Sequence, residues 1–161
     1  MKQSEQYNGY YIVVNSNGVP KSSWWAMEIP KPISAPADVL SILHSIFDGV
    51  EVEHFVVVCL DSRNRPIKVE VIAKGAVDRC PVDVRSVFCQ AVRCLATSVI
   101  VAHNHPSGDT SPSPEDLELT KKLVSAGDIL GVAVLDHFIV ATGQFAKPNS
   151  YLSMAEQGLI K

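Results

Sequence analysis

The stretch Ser98-Val99-Ile100-Val101-Ala102-His103-Asn104-His105-Pro106 decides how this chain reads. Residues Ser98 to Ala102 are small or β-branched and predict a short strand. A loop is expected next, from His103 to Pro114, spelled HNHPSGDTSPSP. On an extended backbone residues i and i+2 project to the same side, so His103 and His105 can face one point. Two neutral imidazoles facing one point are half of a zinc site. The next acid in an ordered setting is Asp116, in the first turn of a helix expected over Glu115 to Ala126, with Gly127 as its C-terminal cap. Gly108, Pro112 and Pro114 let the intervening segment fold that helix start back against the histidines. His103, His105 and Asp116 then supply two nitrogens and one oxygen. The fourth tetrahedral corner is left for water, the arrangement of a catalytic rather than a structural zinc.

Water held in that way needs a base. Glu53 stands at the entry to an apolar strand, Phe55 to Leu60, and Glu51 two residues earlier is the alternative. Asp109 could ligate in place of Asp116, although a loop tip holds geometry less well than a helix turn. Ser113 and Asp116 also form S-x-x-D before an apolar helix, a capping box with Asp in the place of Glu, so capping by itself accounts for the pair. The Ser113 hydroxyl could cap, or help to polarise a substrate carbonyl. His44 and His54 have no evident partner and read as structural. The string His103-Asn104-His105 is not an HNH nuclease motif, whose residues are dispersed over a strand-turn-helix unit.

Outward from the loop, the remaining pattern is α/β. Asp38 to Phe47 has apolar residues at helical spacing and Gly49 behind it. Asp61 to Pro66 is a polar turn, and Ile67 to Ala73 alternates as a half-buried strand. Pro81 can open a helix whose apolar positions run from Val84 to Leu95. Leu130 to Leu135 and Phe138 to Ala141 read as the last strands. The order αββαβαββ indicates an α/β or α+β sandwich around one sheet. Residues 1–36 read as an extension, a short strand at Tyr10 to Val14 plus a proline-rich connection through Pro30, Pro32 and Pro36, and residues 37–161 as the compact domain.

Composition narrows the function classes. The chain has 161 residues, 47% apolar and 19% charged, enough for one real core and inconsistent with disorder. Fourteen basic against seventeen acidic residues give a net charge of -3, which argues against a basic nucleic-acid wrapper. No apolar run reaches membrane-spanning length and the first residues lack a signal-peptide pattern, so a cytoplasmic location without membrane association is expected. Cys59, Cys80, Cys89 and Cys94 form no CxxC; Cys59 and Cys89, in apolar stretches, are expected to pack as small hydrophobes rather than act as nucleophiles.

His103-Asn104-His105-Pro106-Ser107-Gly108-Asp109 followed by Ser113-x-x-Asp116 resembles the metal motif of the RadC family, within the wider JAB/MPN+ (JAMM) metallopeptidases: a Glu, then H-x-H-P, then S-x-x-D. The ten residues between His105 and Asp116 match that spacing. Asp61 to Arg65, Gly75, Leu119-Thr120, Leu130-Gly131-Val132, Leu135-Asp136-His137 and Ser153-x-x-Glu156-x-Gly158 are also similar, so the likeness covers about residues 37 to 160. It implies a JAB/MPN-like, cytidine-deaminase-like fold: a curved mixed sheet flanked by helices in three layers. It implies one zinc on His103, His105 and Asp116, a catalytic Glu for which Glu53 is the best match, and Ser113 assisting the oxyanion. The implied activity is peptidase or isopeptidase chemistry on an unidentified peptide or protein. A non-catalytic interaction module and a DNA-repair or recombination accessory are the other readings, the last from the family's label.

Two departures stand out: Pro81-Val82-Asp83 where the family often has Pro-Arg-Glu, and Leu95 where Asn is common. Longer family members carry an N-terminal helix-hairpin-helix region that binds DNA, and residues 1–36 here are too short and too strand-like to form one. His137 also matches the family pattern. It reads either as a buried histidine paired near Asp136 or as a partner standing behind the metal ligands.

Overall fold

The computed structural model describes residues 4–7, 10–13, 31–75, 82–144, 146–147 and 150–160. In chain order the elements are β1 (Ser4–Tyr7), β2 (Tyr10–Val13), α1 (Pro36–Phe47), β3 (His54–Leu60), β4 (Pro66–Lys74), α2 (Val84–Arg93), β5 (Ser98–His105), α3 (Pro114–Leu130), β6 (Ala133–Ala141) and β7 (Tyr151–Ser153). Strands β1 and β2 pair as an antiparallel hairpin. The expected strand at Tyr10 is present to Val13; Pro30, Pro81 and Cys80 lie outside the described residues.

The main sheet has five strands in the order β4-β3-β5-β6-β7. It is mixed: β3 runs antiparallel to β4 and β5, β5 runs parallel to β6, and β6 antiparallel to β7. The parallel β5/β6 pair needs a crossover, and α3 supplies it. A helix is therefore obliged to start just beyond the C-terminal end of β5, and that obligation brings Asp116 to the histidines.

Helix α1 covers one face of the sheet. Its Val39, Leu40, Leu43 and Phe47 pack on Val56, Val58, Ile100, Ala102, Phe138 and Val140. Helices α2 and α3 cover the other, where Val87, Phe88, Ala91 and Leu123 meet Phe55, Val57, Val99, Val101 and Val134. The result is the three-layer sandwich expected from the sequence, with apolar side chains alternating between two cores.

Several boundaries differ from expectation. Strand β5 continues through His103 and His105 instead of ending at Ala102, so both histidines are held by a ladder rather than a loop. Helix α3 runs past Gly127 and is capped by Gly131 in the left-handed conformation, φ +68°. Gly127 lies inside the helix, where a Cβ would come within 2.4 Å of the Val132 carbonyl oxygen; close approach, not turning, demands glycine there. The last two expected strands are one continuous strand, β6, and the three-residue β7 was not read at all. Helix α2 is capped by Asp83 and ends before Leu95, which sits at φ +55° and is 85% exposed instead of lining a core face. Cys89 is exposed, whereas Cys59 is buried as expected, and burial together with nearby Cys94 pushes its thiol pKa up. Among the described residues no helix is long and apolar enough to cross a membrane.

Candidate metal centre

Register sets the site. Phe55 on β3 pairs with His103 on β5, and His103 in turn pairs with Ile139 on β6. His103 is thus on a central strand, 1% exposed, with the Phe55 ring stacked on it at 6.1 Å between centroids. His105, two residues on, projects from the same face at the strand's partly open end. Asp116 reaches them from the first turn of α3.

The three side chains converge. His103 Nε2 lies 3.0 Å from His105 Nε2 and 3.3 Å from Asp116 Oδ1, and His105 Nε2 lies 3.8 Å from Asp116 Oδ2. Among the described residues this is the one group of three or more metal-ligating side chains whose ligand atoms all lie within 4.8 Å of one another. Ligands at tetrahedral corners about 2.0–2.1 Å from zinc stand about 3.3 Å apart, and the observed separations bracket that. The donor set fits a divalent cation for a second reason. His105 Nδ1 is 2.6 Å from the backbone carbonyl of Asp109, an acceptor only, so that nitrogen carries the ring proton and Nε2 of the neutral ring is bare. Bare nitrogens and a carboxylate facing one another repel unless a proton or a cation sits among them.

Asp116 does two things at once. Its Oδ2 accepts from the Ser113 backbone N–H at 2.8 Å and from Ser113 Oγ at 2.7 Å, while its own N–H donates back to Ser113 Oγ at 3.1 Å. That is the capping box read from the sequence. It leaves Oδ1 turned toward His103. Burial pushes the Asp116 pKa up, but the His103 ring beside it and the hydrogen bonds from Ser113 outweigh that and hold the carboxyl well below the usual carboxylate range. One side chain thus serves the cap and is placed as a candidate ligand as well. Ser113 spends its hydroxyl on Asp116 in this arrangement.

The remaining sequence candidates fall in different places. Asp109 is exposed, its carboxylate accepts from Ser111 N–H at 2.9 Å and lies outside the three-residue cluster, while its carbonyl contacts His105 Nδ1. Glu53 is half-buried just before β3 and does not join the three-residue cluster. The antiparallel register that pairs Phe55 with His103, continued by two residues, sets Glu53 opposite His105. Glu51 lies on the far side of a bend at Val52 and is exposed. His44 and His54 stay outside the cluster, each with one buried ring nitrogen that has no hydrogen-bond partner among the described residues.

Three residues that sequence reasoning passed over complete the site. Asn104, fully buried between the ligands, accepts from His54 N–H at 2.7 Å and donates to the Val52 carbonyl at 3.2 Å, gripping the backbone on both sides of Glu53. It also donates to Thr142 Oγ1 at 2.9 Å. Gly143 lets the chain after β6 close on the site: a Cβ there would meet the Pro106 carbonyl oxygen at 2.4 Å. Thr120, one turn after Asp116 on the same helix face, contacts His137. The i+4 spacing was its available signal.

His137 takes the second of its two sequence readings. Its ring contacts His103 Nδ1 at 2.9 Å and Thr120 Oγ1 at 2.6 Å, and does not reach the Asp136 carboxylate. That carboxylate instead accepts backbone N–H groups of His137 and Ala155 and the Ser153 hydroxyl. Complete burial, with the His103 ring beside it, pushes the His137 pKa well below its ordinary value.

A three-layer α/β domain with a His-His-Asp cluster at the C-terminal end of the central strand of a mixed sheet is the class these features define. The chain belongs to the RadC-like JAB domain family, whose model matches residues 33–159. It is similar to UPF0758 protein SH1266 of Staphylococcus haemolyticus, 42% identical over 78% of this chain and 53% of that protein. A UPF0758 protein of Rubrobacter xylanophilus is 44% identical over 80% of this chain and 53% of its own length. UPF0758 protein TTE0897 of Caldanaerobacter subterraneus is 45% identical over 70% of this chain and 48% of its own. The chain spans about half the length of the curated relatives it matches.

Proposed function

We propose that this chain is a cytoplasmic zinc-dependent hydrolase of peptide or isopeptide bonds, with one zinc held by His103, His105 and Asp116. The observation that carries the reading is the convergence of two imidazole nitrogens and one carboxylate within 4.8 Å, at a partly open strand end. Bound there, zinc supplies Lewis acidity and brings the pKa of a water to about 7. Glu53 accepts the proton from the attacking water and returns it to the departing amine, the work of a general acid–base. Asn104 keeps the backbone around Glu53 in place for that transfer. Ser113 holds the Asp116 carboxylate, which supports an orienting role more directly than contact with the substrate oxygen.

Metal content of the purified chain, with cleavage of a quenched-fluorescent peptide library, tests the reading. The expected result is one zinc per chain in the wild type, none in His103→Ala, and full zinc without cleavage in Glu53→Ala. A folded Glu53→Ala that cleaves as the wild type does would remove the base. A wild type and His103→Ala with equal metal would remove the centre, and would leave the domain as an interaction module.

A further inference from the structure

The two ligands contributed by different elements, His103 from β5 and Asp116 from α3, are joined behind the site by a closed ring of contacts. Thr120 Oγ1 lies 2.6 Å from the Asp116 backbone carbonyl and 2.6 Å from His137 Nδ1. His137 Nε2 lies 2.9 Å from His103 Nδ1, and His103 Nε2 returns to Asp116 Oδ1 at 3.3 Å. Thr120, His137 and His103 are each buried to within 2%. Nothing in the amide-hydrolysis reading uses Thr120 or His137.

Building on the metal reading above, we propose that Thr120 and His137 are positioning residues that hold the ring proton of His103 on Nδ1 and so keep Nε2 bare for the metal. The polarity follows from the partners. The Thr120 hydroxyl has one proton, and its neighbours the Asp116 carbonyl and Met154 sulfur, the latter at 3.3 Å, accept only. With that proton committed, the hydroxyl oxygen accepts from His137 Nδ1–H. A His137 ring that carries its single proton on Nδ1 has none on Nε2, which accepts from His103 Nδ1–H at 2.9 Å. A neutral His103 protonated on Nδ1 has a lone pair on Nε2, the atom facing His105 and Asp116. Reversing the chain would abandon the Thr120 bond to the Asp116 carbonyl and place a proton where the metal must bind. The ring also ties the α3 backbone at Asp116 to the His103 side chain, so ligand spacing and ligand tautomer are set by the same contacts.

The test compares Thr120→Val, which keeps the shape and removes the hydroxyl, with Thr120→Ser, which restores it, and His137→Phe with His137→Gln, whose amide oxygen can again accept from His103. Zinc affinity is read by competition with a chromophoric chelator on variants shown to be folded by circular dichroism. Loss of a group standing behind a metal ligand weakens binding about 10–100-fold, and that fall is expected for Thr120→Val and His137→Phe, with recovery in Thr120→Ser. Long-range proton–nitrogen NMR of the histidine rings in the metal-free chain gives the second readout: His103 protonated on Nδ1 in the wild type, and a mixture of tautomers in Thr120→Val. A merely structural role would lower thermal stability but leave affinity and tautomer unchanged. Folded Thr120→Val with wild-type zinc affinity, or wild-type His103 protonated on Nε2, would overturn the proposal. If the wild type takes up no zinc, the hydrolase reading falls by itself, while the ring spectrum of the metal-free chain still decides the polarity. Should His137→Phe not fold, the threonine pair carries the comparison.

Discussion

Strand β5 has two halves that are equally buried and chemically opposite. Val99, Ile100, Val101 and Ala102 alternate between the two cores as plain apolar packing. His103 and Asn104, one step further, are no more exposed, yet they are polar: both polar atoms of the Asn104 amide and Nδ1 of His103 have hydrogen-bond partners, and His103 Nε2 faces His105 and Asp116. An amide or ring left without partners in that setting costs about 2–7 kcal/mol, so such a cluster persists only when neighbouring elements are arranged to serve it. Here β3, α3, β6 and the segment after β6 all do so. The first half of the strand makes the fold; the second is where the rest of the fold is organised around one strand end.

The sharpest way to separate the halves is at Asp116. Asp116→Ala removes a candidate ligand and the carboxylate half of the capping box together: zinc in the purified chain is expected to fall from one equivalent to none, measured by elemental analysis. Ser113→Ala removes the capping hydroxyl but not the ligand, and costs about 0.5–2 kcal/mol in urea unfolding with the metal retained. If Ser113→Ala also emptied the site, orientation of the carboxylate by the cap would be the larger of its two roles. Of comparable size, Asn104→Ala leaves the His54 N–H without its acceptor and loses about 1–3 kcal/mol, with faster hydrogen exchange at His54; unchanged exchange there would show that the amide does not clamp the strand entry. On the apolar half, Ile100→Val costs about 0.5–1.5 kcal/mol and leaves zinc affinity untouched. A drop in affinity from that change would erase the division between the halves. The last effect is away from both. Leu95 sits at φ +55°, where most L-residues are strained by about 1–2 kcal/mol and Asn is tolerated. Leu95→Asn is therefore expected to raise the midpoint of thermal unfolding, and a lower midpoint would contradict the strain.

Much of this was legible in the residues, for reasons that can be named. α1 and β4 announce themselves by period and β3 by an unbroken apolar run, and H-x-H on an extended backbone followed by S-x-x-D points to three candidate ligands, with the family resemblance favouring Asp116 over Asp109. What misled was polar residues in buried positions. Asp136-His137 in the middle of β6 looks like a break between two strands; it is continuous because Asp136 is satisfied by two backbone N–H groups and Ser153, and His137 by the site. Gly127 looks like a helix end because glycine usually is one, and only the approach of the Val132 carbonyl explains it. Leu95 looks like a core position by spacing, and a positive φ is invisible in a leucine. The roles of Asn104, Thr120 and His137 depend on contacts across 17 to 52 residues of sequence, which no local pattern carries.

Diffraction from crystals grown in zinc, recorded above and below the zinc absorption edge, tests the central claim most directly. One anomalous peak per chain is expected, within about 2.0–2.2 Å of His103 Nε2, His105 Nε2 and an Asp116 carboxylate oxygen. A well-ordered site with no peak between those three atoms, or a zinc bound elsewhere while they stand apart, would contradict it.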